Sequence, residues 1–200
     1  MGFLWLLLVV VLGGPQQPQP SATAPKPYED PEAYEVYAAA LPPKDRWGMR
    51  GEYLVIKQET FAEGCGIPLD NCLKGGEAFK KAWGDVLADF KTKNSSVWVL
   101  NKPIPGPIAH KIVPGEEIRA AFSQGKPDPW TGFYRGFPRS GGTISLSAVG
   151  FAGNKTKALV FVGHSYHLVG AADGYVFLEK QEGKWKVVRS NATTVCLCGA

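Results

Sequence analysis

Two histidines lie close together near the end of the chain, in the segment His164-Ser165-Tyr166-His167. Imidazole nitrogens bind metals and transfer protons near neutral pH, so the pair is a candidate for either chemistry. On a strand, however, residues i and i+3 point to opposite faces. Asp173 is the acidic residue that could join them across the following loop. We predict no metal and no catalytic residue here, and keep His164 and His167 as ligand-binding candidates.

A second candidate site is the aromatic segment Trp130–Phe137 (WTGFYRGF), which we expect to be a loop. Trp130, Tyr134, Arg135 and Arg139 could line a groove for an anionic or aromatic ligand. In the competing interpretation, the tryptophan and the two phenylalanines of this segment cover a sheet as core, and both arginines are exposed. We favour the core interpretation and keep the four named residues as binding candidates.

Patterns for nucleophilic or carboxylate catalysis are weak. Ser140 precedes a Gly-Gly pair but lacks the G-x-S-x-G elbow and its strand–turn–helix context. Glu52, Glu59 and Glu63 have spacings that do not place them on one face as a catalytic pair. Glu59, at a strand end, could instead accept hydrogen bonds from a neighbouring loop. We predict a non-catalytic protein, with a hydrolase built on His164 or His167 and an acidic partner as the alternative.

The N-terminus predicts export. Phe3–Leu12 (FLWLLLVVVL) is a run of ten apolar residues, which suits a signal peptide and is shorter than the ~20 residues of a spanning helix. We assign residues 1–14 to a signal peptide, 15–29 to a proline-rich tether and 30–200 to a single domain. The predicted location is secreted or periplasmic, with no stable membrane span after cleavage; an uncleaved anchor is the alternative.

Four cysteines, Cys65, Cys72, Cys196 and Cys198, are an even number in a chain predicted to be exported, which favours disulfides. The terminal Cys-x-Cys would close too small a ring, so we expect bridges between the two pairs, with both cross-pairings open. A four-cysteine metal site is the rival, but these spacings do not match zinc knuckles. Oxidised cysteines would not act as nucleophiles.

Composition limits the class of partner. The formal charge is +4, and the positive residues are scattered among acids, so we predict no nucleic-acid partner. Six tryptophans and an apolar content of 44% are enough to build a core. We expect a monomer without a cofactor, whose partner is a protein or a small-molecule ligand.

Hydrophobic periodicity predicts an α+β fold. Helices are expected from Pro31 to Leu41, from Glu77 to Phe90 and over Pro114–Phe122, and a strand over Glu52–Thr60. From Thr143 to Val188, short apolar runs alternate with turns, which indicates an antiparallel β-meander. We expect the helices on one face of a curved antiparallel sheet. The layout is compatible with a cystatin-like roll or one like nuclear transport factor 2, an analogy that carries no function.

A change of parity occurs within the meander. Ile144, Leu146 and Ala148 alternate as one apolar face, whereas Val149 and Phe151 fall on the other parity. A β-bulge near Ala148-Val149 would place all five on one side.

Several pieces of the chain resemble an uncharacterised family of exported bacterial proteins with no established activity. They are EAYEVYAAALP in the first helix, YLVIKQET ending at Thr60, SGGTISLSAVGF ending at Phe151, ALVFVGHS ending at Ser165 and GYVFLEKQEGKW ending at Trp185. The resemblance spans residues 30–198 and implies an exported bacterial protein with a middle-to-end disulfide. Relatives often carry a Cys-Gly…Cys-Gly segment where this chain has Tyr166–Gly170, so no role of those cysteines is carried over.

These observations predict a binding or interaction domain of the cell envelope or extracellular space. The alternatives are the hydrolase described above and a purely structural envelope component.

Overall fold

The computed structural model describes residues 25–46, 51–61 and 76–194. The predicted signal peptide and all four cysteines lie outside these ranges. Strand β1, Lys26–Tyr28, falls within the predicted tether, and it pairs in parallel with β3, Trp98–Leu100. Tyr28 is buried and its hydroxyl accepts a hydrogen bond from the Val149 amide at 2.9 Å. The folded domain therefore begins before residue 30, because this short strand ties the end of the tether to the core.

Two of the helices begin at an Asp-Pro pair. Asp30 caps α1, Pro31–Ala40, and Asp128 caps α4, Pro129–Gly136; each aspartate accepts a backbone N–H at 3.1 Å. Proline suits the first helical turn because the N–H it lacks would be unpaired there. The prediction of a loop over Trp130–Phe137 is therefore wrong, because an Asp-Pro pair like the one that starts α1 also starts a helix at Pro129.

Two further helices match their predictions closely. The longer is α2, Gly76–Lys93, and the shorter is α3, Gly115–Ser123. A single 3-10 turn, Lys44–Arg46, follows α1.

One mixed sheet forms the centre of the domain. Its strands are β2 (Tyr53–Lys57), β4 (His110–Val113), β5 (Ser140–Leu146), β6 (Gly150–Phe151), β7 (Lys157–His167), β8 (Gly170–Gln181) and β9 (Lys184–Thr194). The order is β4-β2-β5-β7-β8-β9, with β6 also pairing to β7. The α+β class and the closing meander are confirmed, since β7, β8 and β9 pair antiparallel.

The antiparallel prediction fails in the first half of the sheet. Strand β2 runs parallel to both of its neighbours, β4 and β5. The chain enters β4 after α2 and enters β5 after α3 and α4, and such helical connections return a strand in the same direction. Alternation within single strands carries no information on this pairing.

Helices cover both faces of the sheet, not one as predicted. On the first face, α1 packs over Leu54, Ile56 and the even-numbered apolar residues of β7 and β8. On the second, α2 packs over Leu159, Phe161 and Phe177, while α3 and α4 pack over Val55. Apolar residues at adjacent positions of β2 and β7 thus point into different clusters, as expected for strands buried on both sides.

The predicted bulge is confirmed. Between β5 and β6, four steps from Leu146 to Gly150 face three steps from Val162 to Leu159 on β7. The buried Asn94 side chain accepts from the Ala148 amide at 2.9 Å and donates to the Ala148 carbonyl at 3.0 Å. These bonds replace the ladder pairing that the bulge interrupts.

Candidate functional site

The site arises where α1 stops short of the end of the sheet. Glu32, in the first turn of α1, accepts hydrogen bonds from Lys180 at 2.7 Å and from the Trp185 indole at 2.6 Å. These bonds, which lower the pKa of Glu32, fix the start of the helix over one end of β8. Ten helical residues span ~15 Å, whereas the twelve residues of β8 span ~40 Å. The far part of this face is therefore left uncovered by α1.

The end of α1 is set by Pro42-Pro43. The Leu41 amide still donates to the Tyr37 carbonyl at 2.9 Å, and the chain then leaves the helix. Because proline has no N–H, neither Pro42 nor Pro43 can donate to the carbonyl four residues before it. The carbonyls of Ala38 and Ala39 therefore receive no helical hydrogen bond.

Beyond this helix end lies a cavity of about 360 Å³, which we call the His164 cavity. Its walls are the end of α1 and the first face of β7, β8 and β9. The described residues that line it include no Asp, Glu, Lys or Arg; they are Ala39, Ala40, Leu41, Pro42, Pro43, Val162, His164, Ala172, Gly174, Val176, Val187 and Ser190. The space exists because β8 places small residues, Ala172 and Gly174, at this point, whereas Val176 and Leu178 further along the same face carry larger apolar side chains.

His164 is the buried polar side chain of this cavity, with 3% of its surface exposed. Its Nε2 lies 2.8 Å from the Gly141 carbonyl oxygen. A carbonyl only accepts, so Nε2 carries the proton. Burial lowers the pKa of His164, which keeps the ring neutral near pH 7 and leaves Nδ1 as an acceptor.

His164 lines the cavity. Its Nδ1 has no hydrogen-bond partner among the described residues, and this atom is not sealed from solvent. Within the described part of the chain, the one sealed side-chain polar atom without a partner is Ser140 Oγ. The register with Tyr53 places Ser140 on the opposite face of the sheet from His164, so the two do not form a nucleophile–base pair.

Tyr166 and Tyr134 hold the end of the sheet beside the cavity. The Tyr166 ring lies 5.2 Å from the His164 ring and packs on Gly170, where an added Cβ would come within 2.4 Å of it. The Tyr134 hydroxyl donates to the Tyr166 carbonyl at 2.7 Å, and burial raises the pKa of Tyr134 to about 12. Helix α4 is thereby tied to the β7–β8 hairpin.

The remaining acid–base candidates do not converge on His164. His167 is exposed at the end of β7. Asp173 pairs with Gly163 and points to the opposite face, where burial raises its pKa and its carboxylate accepts the His164 backbone N–H. Glu59 accepts from the Gly115 amide at 2.8 Å, which confirms that it accepts a hydrogen bond, although the donor is the first residue of α3 and not a loop residue.

The aromatic candidates form core instead of a groove. Trp130, Phe133 and Phe137 are buried in the cluster between α3, α4 and the sheet, which confirms the favoured interpretation. Arg135 and Arg139 are exposed, and Arg139 forms an ion pair with Glu52. None of Trp130, Tyr134, Arg135 or Arg139 lines the His164 cavity.

No family model, curated protein or solved structure matches this chain. The resemblance to exported bacterial proteins therefore stays a prediction, and the chemistry of the site is argued from its own geometry.

A second cavity of about 310 Å³ lies near the β4 edge and is more polar. Its histidine, His110, uses both ring nitrogens, since Nδ1 donates to the Ile108 carbonyl at 2.8 Å and Nε2 accepts from the Ile104 amide at 3.1 Å. The ring holds the surrounding loop together and has no nitrogen left for a ligand.

Residues 25–46, 51–61 and 76–194 contain no group of three or more His, Cys, Asp or Glu side chains placed to hold a metal ion. None of their helices is both long and apolar enough to cross a bilayer. The predicted disulfides, at Cys65, Cys72, Cys196 and Cys198, lie outside the described residues and stay predictions.

Sequence reasoning identified His164 but missed the cavity around it. Two signals were present: the Pro42-Pro43 stop directly after a short helix, and the small residues Ala172 and Gly174 within a strand. Neither indicates a cavity until the pairing of β8 shows that they face the end of α1.

Proposed function

We propose that this domain binds a small, uncharged, mainly apolar molecule in the His164 cavity. The observation that carries the proposal is the combination of a volume of about 360 Å³, an apolar lining and a single buried imidazole. Ligand pockets commonly have volumes of about 300–1,000 Å³, apolar walls and a few polar groups that fix orientation.

The size of the ligand can be bounded. A cavity of about 150 Å³ lined by apolar side chains holds one benzene molecule. By proportion, the His164 cavity would accept roughly fourteen non-hydrogen atoms. Charged molecules are disfavoured, because no Asp, Glu, Lys or Arg among the described residues lines the cavity to compensate a buried charge.

The proposal includes export. The apolar run over residues 3–12 and the proline-rich segment that follows support a secreted or periplasmic location. The ligand would then be a neutral molecule of the envelope or the surroundings. The hydrolase alternative is not favoured, since the Asp173 side chain lies on the opposite face of the sheet from the His164 ring and Glu59 is bonded to the Gly115 amide.

The test is an NMR titration that measures whether 1-octanol binds the protein saturably and with 1:1 stoichiometry. The variant Ala172→Leu places a larger side chain at the exposed wall of the cavity and is expected to abolish binding. Ala120→Leu, the same change at an exposed position of α3, is the matched control and should bind like the wild type. Absence of saturable binding, or equal binding by Ala172→Leu, would contradict the proposal.

A further inference from the structure

The acceptors in the His164 cavity indicate the chemical class of its ligand. We propose that the cavity selects neutral apolar molecules that carry a hydrogen-bond donor, such as a hydroxyl group, over those with only acceptors and over carboxylates. The inference rests on the proposed function, since it names the ligand class of the same cavity.

The first acceptor is Nδ1 of His164. The Gly141 carbonyl holds the proton on Nε2 at 2.8 Å, so the ring cannot place a proton on Nδ1 while it stays neutral. His164 lines the cavity, and its Nδ1 is unsealed and has no partner among the described residues. A ligand that donates a hydrogen bond would satisfy it, whereas an ether or an alkane would leave it unpaired.

The second acceptor is the end of α1. Helical carbonyls point toward the C-terminal end, and that of Ala39, which lines the cavity, receives no helical bond because Pro43 lacks an N–H. The helix dipole also places a partial negative charge at a helix C-terminus. Both effects favour a donor on the ligand and oppose an anion.

Among the described residues, hydrogen-bond donors are scarce in the same cavity. The Nε2 proton of His164 is used by Gly141, and the two prolines of the wall have no N–H. The Ser190 hydroxyl, at the β9 wall, is exposed. A ligand oxygen that only accepts would therefore lose its water without gaining a buried partner.

The experiment compares three probes of closely similar size on the full chain at pH 7.5. Heptyl methyl ether is an isomer of 1-octanol that lacks the donor, and octanoate is the anion of the same chain length. A neutral hydrogen bond contributes about 0.5–1.5 kcal/mol, so 1-octanol should bind roughly twofold to twelvefold more tightly than the ether. Octanoate should bind at least ~10-fold more weakly than 1-octanol.

Two variants assign the preference to His164. His164→Leu should reduce the alcohol-to-ether ratio toward one, while His164→Gln, which keeps both a donor for Gly141 and an acceptor, should retain it. Each ratio is taken on a single variant, so a partial loss of folded protein cancels.

The outcomes separate the two claims. Equal binding of alcohol and ether, or binding of octanoate as tight as that of 1-octanol, would overturn the inference and leave the cavity as a binding site. An unchanged ratio in His164→Leu would overturn the assignment to His164. Failure of every probe to bind saturably would contradict the proposed function itself.

Discussion

His164 shows how a residue chosen from its type alone acquires a role from its surroundings. As one of two nearby histidines it suggested metal or acid–base chemistry. The structure separates it from His167 and Asp173, buries it, and commits Nε2 to Gly141. Pairing across strands decides all three facts, and the spacing of residues in one strand does not contain that information. The remaining chemistry is that of a neutral acceptor.

The pKa of His164 predicts a pH dependence of stability. Because burial lowers that pKa in the folded protein, the unfolded chain binds the proton more readily. The contribution of this residue to the free energy of unfolding is complete above the ordinary histidine pKa of about 6.5, and is lost as the pH falls from there through the lower folded value.

Urea unfolding at a series of pH values between about 7.5 and 5 checks this prediction. His164→Gln removes the titrating group and should show a flatter loss of stability on acidification than the wild type. His167→Gln, at an exposed position, is the control and should follow the wild type. Parallel curves for His164→Gln and the wild type would contradict the account. The lowered pKa of Glu32 acts in a more acidic range, below about 4.3.

At the scale of elements, the start signals of the helices are local in the sequence. Asp30-Pro31 predicted α1. Asp128-Pro129 is the same signal for α4, but the segment after it is rich in glycine and aromatic residues and was predicted to be a loop. The alternating meander was predictable because each strand pairs with its neighbour in sequence. The parallel placement of β2 between β4 and β5 was not, since it depends on contacts between distant segments.

Close packing between α3 and α4 yields a second prediction. A Cβ added at Gly132 would lie 2.3 Å from the Ala121 carbonyl oxygen, so Gly132→Ala must displace one helix and should lower the free energy of unfolding by about 1–3 kcal/mol. At Gly84, in the exposed middle of α2, an added Cβ meets nothing within 4 Å. Gly84→Ala should therefore raise stability by about 0.5–1 kcal/mol.

Chemical denaturation of the two alanine variants measures both effects in one experiment. Opposite signs are expected from the same substitution. A Gly132→Ala protein as stable as the wild type would show that the two helices are not in the close contact described.

For the whole molecule, the central feature is a mismatch of lengths between a short helix and long strands. Glu32 anchors α1 at one end of β8, Pro42-Pro43 ends it part-way, and small residues on β8 leave the remaining surface hollow. The sequence contains each of these parts, but their alignment requires the register of three strands and one helix. The α+β class could therefore be predicted, whereas the cavity that the proposed function depends on could not.

Mapping where 1-octanol binds tests this account most directly. In a titration followed by backbone amide chemical shifts, we predict saturable changes centred on Ala172, Gly174, Val176 and the end of α1, and their loss in Ala172→Leu. Shifts confined to another region, such as the polar cavity around His110, or shifts that never saturate, would contradict the claim that the His164 cavity is the functional site.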